Sequence, residues 1–267
     1  MNSIIPPLGF ESSEFVVRTE RAQRLMKETD LDALLLTTEP EVRYFSGFHT
    51  SFWLSPTRPW FLIVPREGKP IAVIPEIGRA RMADTWLDEI ITWPAPRPSD
   101  EGITELTKTL NGLTKRSGII GLPMGTETHL RMPFSDFKKL QENIRNVDVV
   151  DATNLIQELR AIKSEAEISK IRYICQRVSE GFSELHKLIS VGDQEKEVFR
   201  KFRIDLLHRG ADEVPYLVGG SGPNGPTEVI GMPSNRTIKK GDVLMMDTGA
   251  VFDGYFSDFD RNFCFGS

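Results

Sequence analysis

The chain has 267 residues, 33 Lys and Arg against 38 Asp and Glu, a formal net charge of −5 and 39% hydrophobic residues. That length suits one large domain or two ordinary ones, and mild acidity without a basic run interleaved with aromatics excludes nucleic acid as an expected partner. Cys175 and Cys264 form neither a disulfide framework nor a CxxC pair, no apolar run approaches a membrane span, and the Met1–Gly9 start lacks a signal-peptide pattern, so the expectation is a cytoplasmic protein with no membrane partner.

Helical spacing of Phe15, Val16, Ala22, Leu25 and Met26 predicts a helix over Ser13–Lys27. A short buried strand, Ala33–Leu36, follows, then a helix-like piece ending near Gly47. Trp60–Pro65 and Pro70–Ile74 read as a hairpin across Arg66–Lys69. Ile103–Leu113 predicts a helix, Gly118–Leu122 a strand and Phe134–Leu140 another helix. Strands alternating with helices argue an α/β layer. His49 follows Gly47-Phe48 in a loop and, with Trp53, is placed as a lining residue of a cleft.

Beyond Val150 the pattern changes. From Asn154 to about Val191 apolar residues recur every three or four positions, too long a run for one capped helix. Ser164 with Glu167 three residues later supplies a restart as a capping box. A further helix runs from Gln194 to Leu207 and stops at Gly210, after which strands dominate. Gly219–Pro226 lacks the Gly-Lys-Ser/Thr ending of a phosphate loop and reads as a Gly/Pro-rich turn between strands. The expected domains are therefore 1–155 and 156–267.

The apolar strand Val243-Leu244-Met245-Met246 leads into Asp247, and Asp253-Gly254 supplies the positive-φ residues of a two-residue hairpin turn. With that turn Phe252 pairs with Tyr255, Gly249 with Asp258 and Asp247 with Asp260. Alternation then sets Asp247, Asp258 and Asp260 on one face, and Met246, Thr248, Phe252, Tyr255 and Phe259 on the other. Three carboxylates crowded on one buried face repel one another and lose hydration unless a cation sits among them. Oxygen-only ligation suits a hard or borderline divalent ion such as manganese.

Three motifs give a resemblance to the creatinase / Xaa-Pro peptidase superfamily, whose catalytic domain has the pita-bread fold. They are Leu159–Ile168, then Pro233-Ser234-Asn235-Arg236 with Lys240-Gly241-Asp242, and the Asp247…Asp258 pair followed by Arg261. The resemblance implies an α/β N-terminal creatinase-like domain followed by an α+β pita-bread catalytic domain incomplete at the C-terminus. It implies two divalent ions (manganese, with cobalt, zinc or iron as other possibilities), with Asp247 chelating one ion and Asp258 bridging both. It also implies a metal-bridging hydroxide that cleaves a bond next to proline in a small peptide, and a homodimer in which the N-terminal domain reaches the neighbouring active site; Trp53, Arg58 and Trp60 are candidates for that contact, with packing or solvated roles equally open to each.

Two departures from that family accompany it. Its remaining His and two Glu ligands come from the second half of the fold, beyond Ser267. Ile230 stands where the peptidases carry a histidine that helps stabilise the transition state, and Asp260 where they usually carry threonine, as an extra ligand or a neighbour of the ligands. Other readings left open are a divergent member acting on a small non-peptide substrate, ectoine-hydrolase-like or lyase-like, and a catalytically inactive fragment.

Overall fold

The structure is a computed structural model that describes residues 4–114 and 118–266; Met1–Ser3, part of the start read above, lie outside the described residues. Contacts divide the chain into two units, one of Gly9–Ile162 and one of the N-terminal residues to Leu8 with Lys163 onward.

The first of these is built on a six-stranded sheet. Helix α1 (Ser12–Glu28) leads into β1 (Ala33–Leu36), α2 (Glu39–Ser46), β2 (Phe61–Pro65), β3 (Ile71–Pro75), a short α3 (Arg79–Ala83) and β4 (Glu89–Trp93). Then come α4 (Ile103–Leu113), β5 (Gly118–Leu122), α5 (Phe134–Asn143), β6 (Val147–Asp151) and α6 (Thr153–Ala161). Strand order is β4-β3-β2-β1-β5-β6, with β2 antiparallel to both neighbours and the pairs β3–β4, β1–β5 and β5–β6 parallel.

Both faces of this sheet are covered, which is why β1, β2 and β3 read as continuous apolar runs. Leu34, Leu36, Leu62 and Val64 pack with Ala22 and Met26 of α1 and with Leu155, Ile156 and Leu159 of α6. Ala33, Leu35, Phe61 and Ile63 face the other way, onto Leu106 and Leu110 of α4 and Leu140 of α5. The expected α/β layer is present. Because Leu155, Ile156 and Leu159 sit in this core, α6 belongs to the first unit.

The other unit begins with α7 (Glu165–Glu184) and α8 (Glu195–His208) and continues as β7 (Glu213–Gly222), β8 (Val243–Phe252), β9 (Tyr255–Phe256) and β10 (Phe259–Cys264). The predicted restart is there: Ser164 Oγ accepts from Glu167 N at 3.2 Å, and Glu167 Oε2 accepts from Ser164 N at 2.8 Å. Strand order is β10-β8-β7, with β9 on β8. One sheet face carries Leu244, Met246, Ala250 and Phe252 into a core with Tyr173, Ile174, Val178 and Phe182 of α7 and Val198, Phe202 and Leu206 of α8.

The reading of Gly219–Pro226 as a turn needs correction. Gly219, Gly220, Ser221 and Gly222 pair with Met246, Met245, Leu244 and Val243, so half of that segment is the end of β7. Composition favoured a turn, but β8 offers a complete ladder partner and tertiary pairing prevails over local propensity. Among the described residues no helix is long and apolar enough to cross a membrane.

Candidate metal centre

Strand β8 is central in its sheet, paired along both sides, and it carries Asp247. Asp253 and Gly254 have φ of 47° and 79°, the pair of positive values that a two-residue hairpin turn of the type I′ kind requires. Phe252 pairs with Tyr255, and further along Thr248 pairs with Phe259 and Asp247 with Asp260. The register is the same on both sides of the short break between β9 and β10, which leaves Asp258 across from Gly249, as the sequence predicts. On the other flank of β8, Val218 pairs with Asp247 and Tyr216 with Gly249. Residues directly opposite point to one face, so Tyr216, Val218, Asp247, Gly249, Asp258 and Asp260 share it.

The opposite face also follows the predicted alternation. Met246, Thr248 and Phe252 are buried, Phe259 packs against the same core, and the Tyr255 hydroxyl donates to Glu167 Oε1 at 2.9 Å. The Thr248 hydroxyl donates to the Tyr216 carbonyl at 2.9 Å, which satisfies a buried polar group and fastens β7 to β8.

The carboxylate face is more open than expected. Asp247 is half-buried and Asp258 and Asp260 are exposed, because α7 and α8 pack on the opposite face. Burial, followed by the negative charges of Asp258 and Asp260, raises the Asp247 carboxyl above the ordinary aspartate range. The charges acting on it are thus of its own sign. An oxygen-only donor set of this kind fits a hard or borderline divalent cation from one side. Among the described residues no group of three or more His, Cys, Asp or Glu is placed to hold a metal by itself.

Tyr216 is the site residue that sequence reasoning missed. Its hydroxyl donates to Asp258 Oδ1 at 2.7 Å. Burial, then that hydrogen bond and the charges of Asp258 and Asp247, push the Tyr216 hydroxyl up, so it remains a protonated donor. The room that Gly249 leaves is filled by this ring: a Cβ there would lie 2.4 Å from Tyr216 Cε1. Alternation could have placed Tyr216 only if the register of β7 were known, and β7 carries an irregularity between Glu213 and Tyr216.

The other predicted positions are dispersed. Ile230 is 73% exposed in a stretch without regular structure, with the neighbouring Gly231 carbonyl accepting from Gly219 N at 2.9 Å. His49 is exposed and its Nδ1 lies 3.2 Å from Glu39 Oε1 and 3.1 Å from Arg43 Nη1. Trp53 and Trp60 are buried in the core of the first unit with ring centroids 6.0 Å apart. Arg58 is half-buried, and its carbonyl accepts from Arg131 Nη1 at 3.2 Å.

Ser234 and Arg236 of the Pro233–Arg236 motif join the buried Ser221 and Asp242 in a polar lattice around Glu195, the buried first residue of α8. Glu195 Oε1 accepts from Ser221 N and Oγ at 2.8 and 2.7 Å, and Oε2 from Ser234 N and Oγ at 2.9 and 2.6 Å. Arg236 donates to both oxygens of Asp242, at 2.7 and 2.8 Å, and to Ser221 Oγ at 2.6 Å. This ties the segment ahead of β8 to the ends of β7 and β8.

This chain belongs to the family of the creatinase/prolidase N-terminal domain, matched over residues 18–162, and metallopeptidase family M24, matched over residues 169–267. It is 26% identical over 251 residues to the Xaa-Pro dipeptidase of Pyrococcus horikoshii, covering 94% of this chain and 64% of that protein. It is 27% identical to the putative dipeptidase YkvY of Bacillus subtilis, covering 93% and 66%. The structure superposes on a prolidase from Thermococcus sibiricus with a TM-score of 0.80 at 25% identity, covering 95% of this chain and 66% of that one. On dipeptidase PepE from Mycobacterium ulcerans the TM-score is 0.79 at 21% identity, a likeness of fold, with 97% and 67% covered. The chain thus spans just under two thirds of the length of the curated relatives it matches.

Proposed function

We propose that Asp247 and Asp258 are metal ligands of a prolidase-type peptidase that cleaves the bond next to proline in a small peptide, with Asp260 as an additional ligand or a charge beside them. The observation that carries this reading is Asp247 itself: a half-buried carboxylate on a central strand, raised by burial and by two like charges. A protein bears that electrostatic cost where function needs it. The names of the relatives, dipeptidases and a prolidase, select peptide hydrolysis over the action on a non-peptide molecule that the same fold could support.

In that reading two divalent ions, manganese foremost, would take these oxygens as one side of their coordination. When bound, such ions polarise a peptide carbonyl and acidify a water molecule. The rest belongs to the chain: β8 fixes Asp247, and the open carboxylate face leaves room for a peptide.

The test is a manganese titration of the full-length protein by calorimetry, beside assay of proline release from Xaa-Pro dipeptides. Saturable binding lost in both Asp247→Asn and Asp258→Asn is expected, with proline release that depends on added metal. Binding unchanged by both substitutions overturns the ligand assignment, and a metal-loaded protein inert toward every Xaa-Pro dipeptide overturns the peptidase reading.

A further inference from the structure

Tyr216 reaches across the central strand of its sheet to a carboxylate on the far side. It starts on β7, passes over Gly249 of β8, and ends with its hydroxyl 2.7 Å from Asp258 Oδ1. Asp258 lies between β9 and β10, outside both strands, so the ladder restrains its backbone less than that of Asp247. Its side chain is exposed and accepts the hydrogen bond from the Tyr216 hydroxyl.

Three features of the sheet serve this reach. Gly249 has no side chain, and a Cβ in its place would stand 2.4 Å from Tyr216 Cε1 and 2.9 Å from Cζ. The register irregularity in β7 falls immediately before Tyr216, a device that re-aims a side chain. Thr248 fixes the Tyr216 backbone through its carbonyl.

We infer that Tyr216 is a positioning residue for the metal centre: its hydroxyl occupies one lone pair of Asp258 Oδ1 and turns the remaining acceptor positions of that carboxylate toward the face shared with Asp247. This rests on the reading of Asp258 as a ligand. Hydrogen-bond donors behind a ligating carboxylate orient it, and their removal commonly lowers metal affinity by roughly 10- to 100-fold.

The test compares wild type with Tyr216→Phe and Gly249→Ala. Tyr216→Phe deletes one hydroxyl and keeps the ring over Gly249, whereas Gly249→Ala displaces the ring and keeps the hydroxyl. Both should weaken manganese binding by roughly 10-fold or more and alter the electron paramagnetic resonance spectrum of the bound ion, while Tyr216→Phe keeps the far-UV circular dichroism of wild type. Unchanged affinity and spectrum in Tyr216→Phe overturn the inference while leaving the ligand assignment standing.

The metal-free protein gives a second readout. The tyrosine Raman doublet near 850 and 830 cm⁻¹ (roughly, for any tyrosine), isolated as wild type minus Tyr216→Phe, should report a hydroxyl donating to a carboxylate. It should change in Asp258→Ala. A doublet indifferent to Asp258→Ala overturns the inference, whether or not manganese binds.

Discussion

The Lys170 ammonium lies 2.6 Å from Asp253 Oδ2, with the two side chains 1% and 10% exposed. A buried charge pair thus joins the second turn of α7 to the first residue of the hairpin turn, and Lys170 also donates to the Pro7 carbonyl. One turn earlier on the same helix, Glu167 accepts from Tyr255, just beyond that turn. The tip of the hairpin that carries the aspartates is therefore held to α7 on both sides of Gly254.

Lys170→Met should be costly, since breaking a buried pair by removing one partner leaves the other desolvated. The expected loss is about 3 kcal/mol, measured by urea unfolding at constant m-value. A midpoint unchanged from wild type would show that the pair adds nothing to the hairpin.

Gly249→Ala forces a Cβ within 2.4 Å of the Tyr216 ring and 3.0 Å of the Ser257 carbonyl oxygen. Overpacking of this kind costs about 1–3 kcal/mol. Gly112→Ala makes the control, because a Cβ there meets nothing within 4 Å and alanine suits α4 better than glycine. Differential scanning calorimetry should show a lower Tm for the first and an equal or higher Tm for the second; a reversed order refutes the packing account.

The Glu195 lattice makes stability depend on pH in acid. Burial works to raise the Glu195 carboxyl, but hydrogen bonds from Ser234 and Ser221 outweigh it and hold it below the ordinary value. Arg236 holds Asp242 low through its hydrogen bonds, against burial. A carboxyl depressed in the folded state stabilises it above the unfolded value, near 4 for these groups (roughly, from model peptides). That contribution is lost as pH falls through the lower folded value. Unfolding free energy should therefore decline from about pH 4 downward, and Glu195→Gln should flatten the decline while costing about 2 kcal/mol at neutral pH. A pH profile identical to wild type would sink this assignment.

Asp247 carries the opposite sign. Its carboxyl is raised in the folded state, so its charge opposes folding at neutral pH and its protonation in acid favours it. Asp247→Asn should raise the Tm of the protein in chelator and abolish any rise on adding manganese. A lower Tm in chelator would mean that Asp247 is held by something other than repulsion and burial.

What the sequence disclosed here is local in origin. The Asp253-Gly254 turn fixes its own backbone angles, and the turn together with alternation dictates which residues share a face over the next strand. The Ser164–Glu167 capping box likewise needs only residues three apart. Tyr216 escaped because its meaning depends on the register between β7 and β8, joined by a long connection and interrupted by an irregularity. Trp53 looked like a cleft residue because aromatic residues in loops serve either role, and only packing against Trp60, whose ring in turn meets Phe48, places it in the core. The openness of the carboxylate face was equally invisible, since alternation tells which side a residue takes and not what lies over it.

The two proposed ligands are held with unequal stiffness. Asp247 has a hydrogen-bonded ladder on either flank, while Asp258 rides a short link between two peripheral strands. One jaw of the grip is anvil-like and the other can adjust, so ions of different radius would be met by movement of the Asp258 link alone, and tolerance for metal size becomes a property of that one peptide segment.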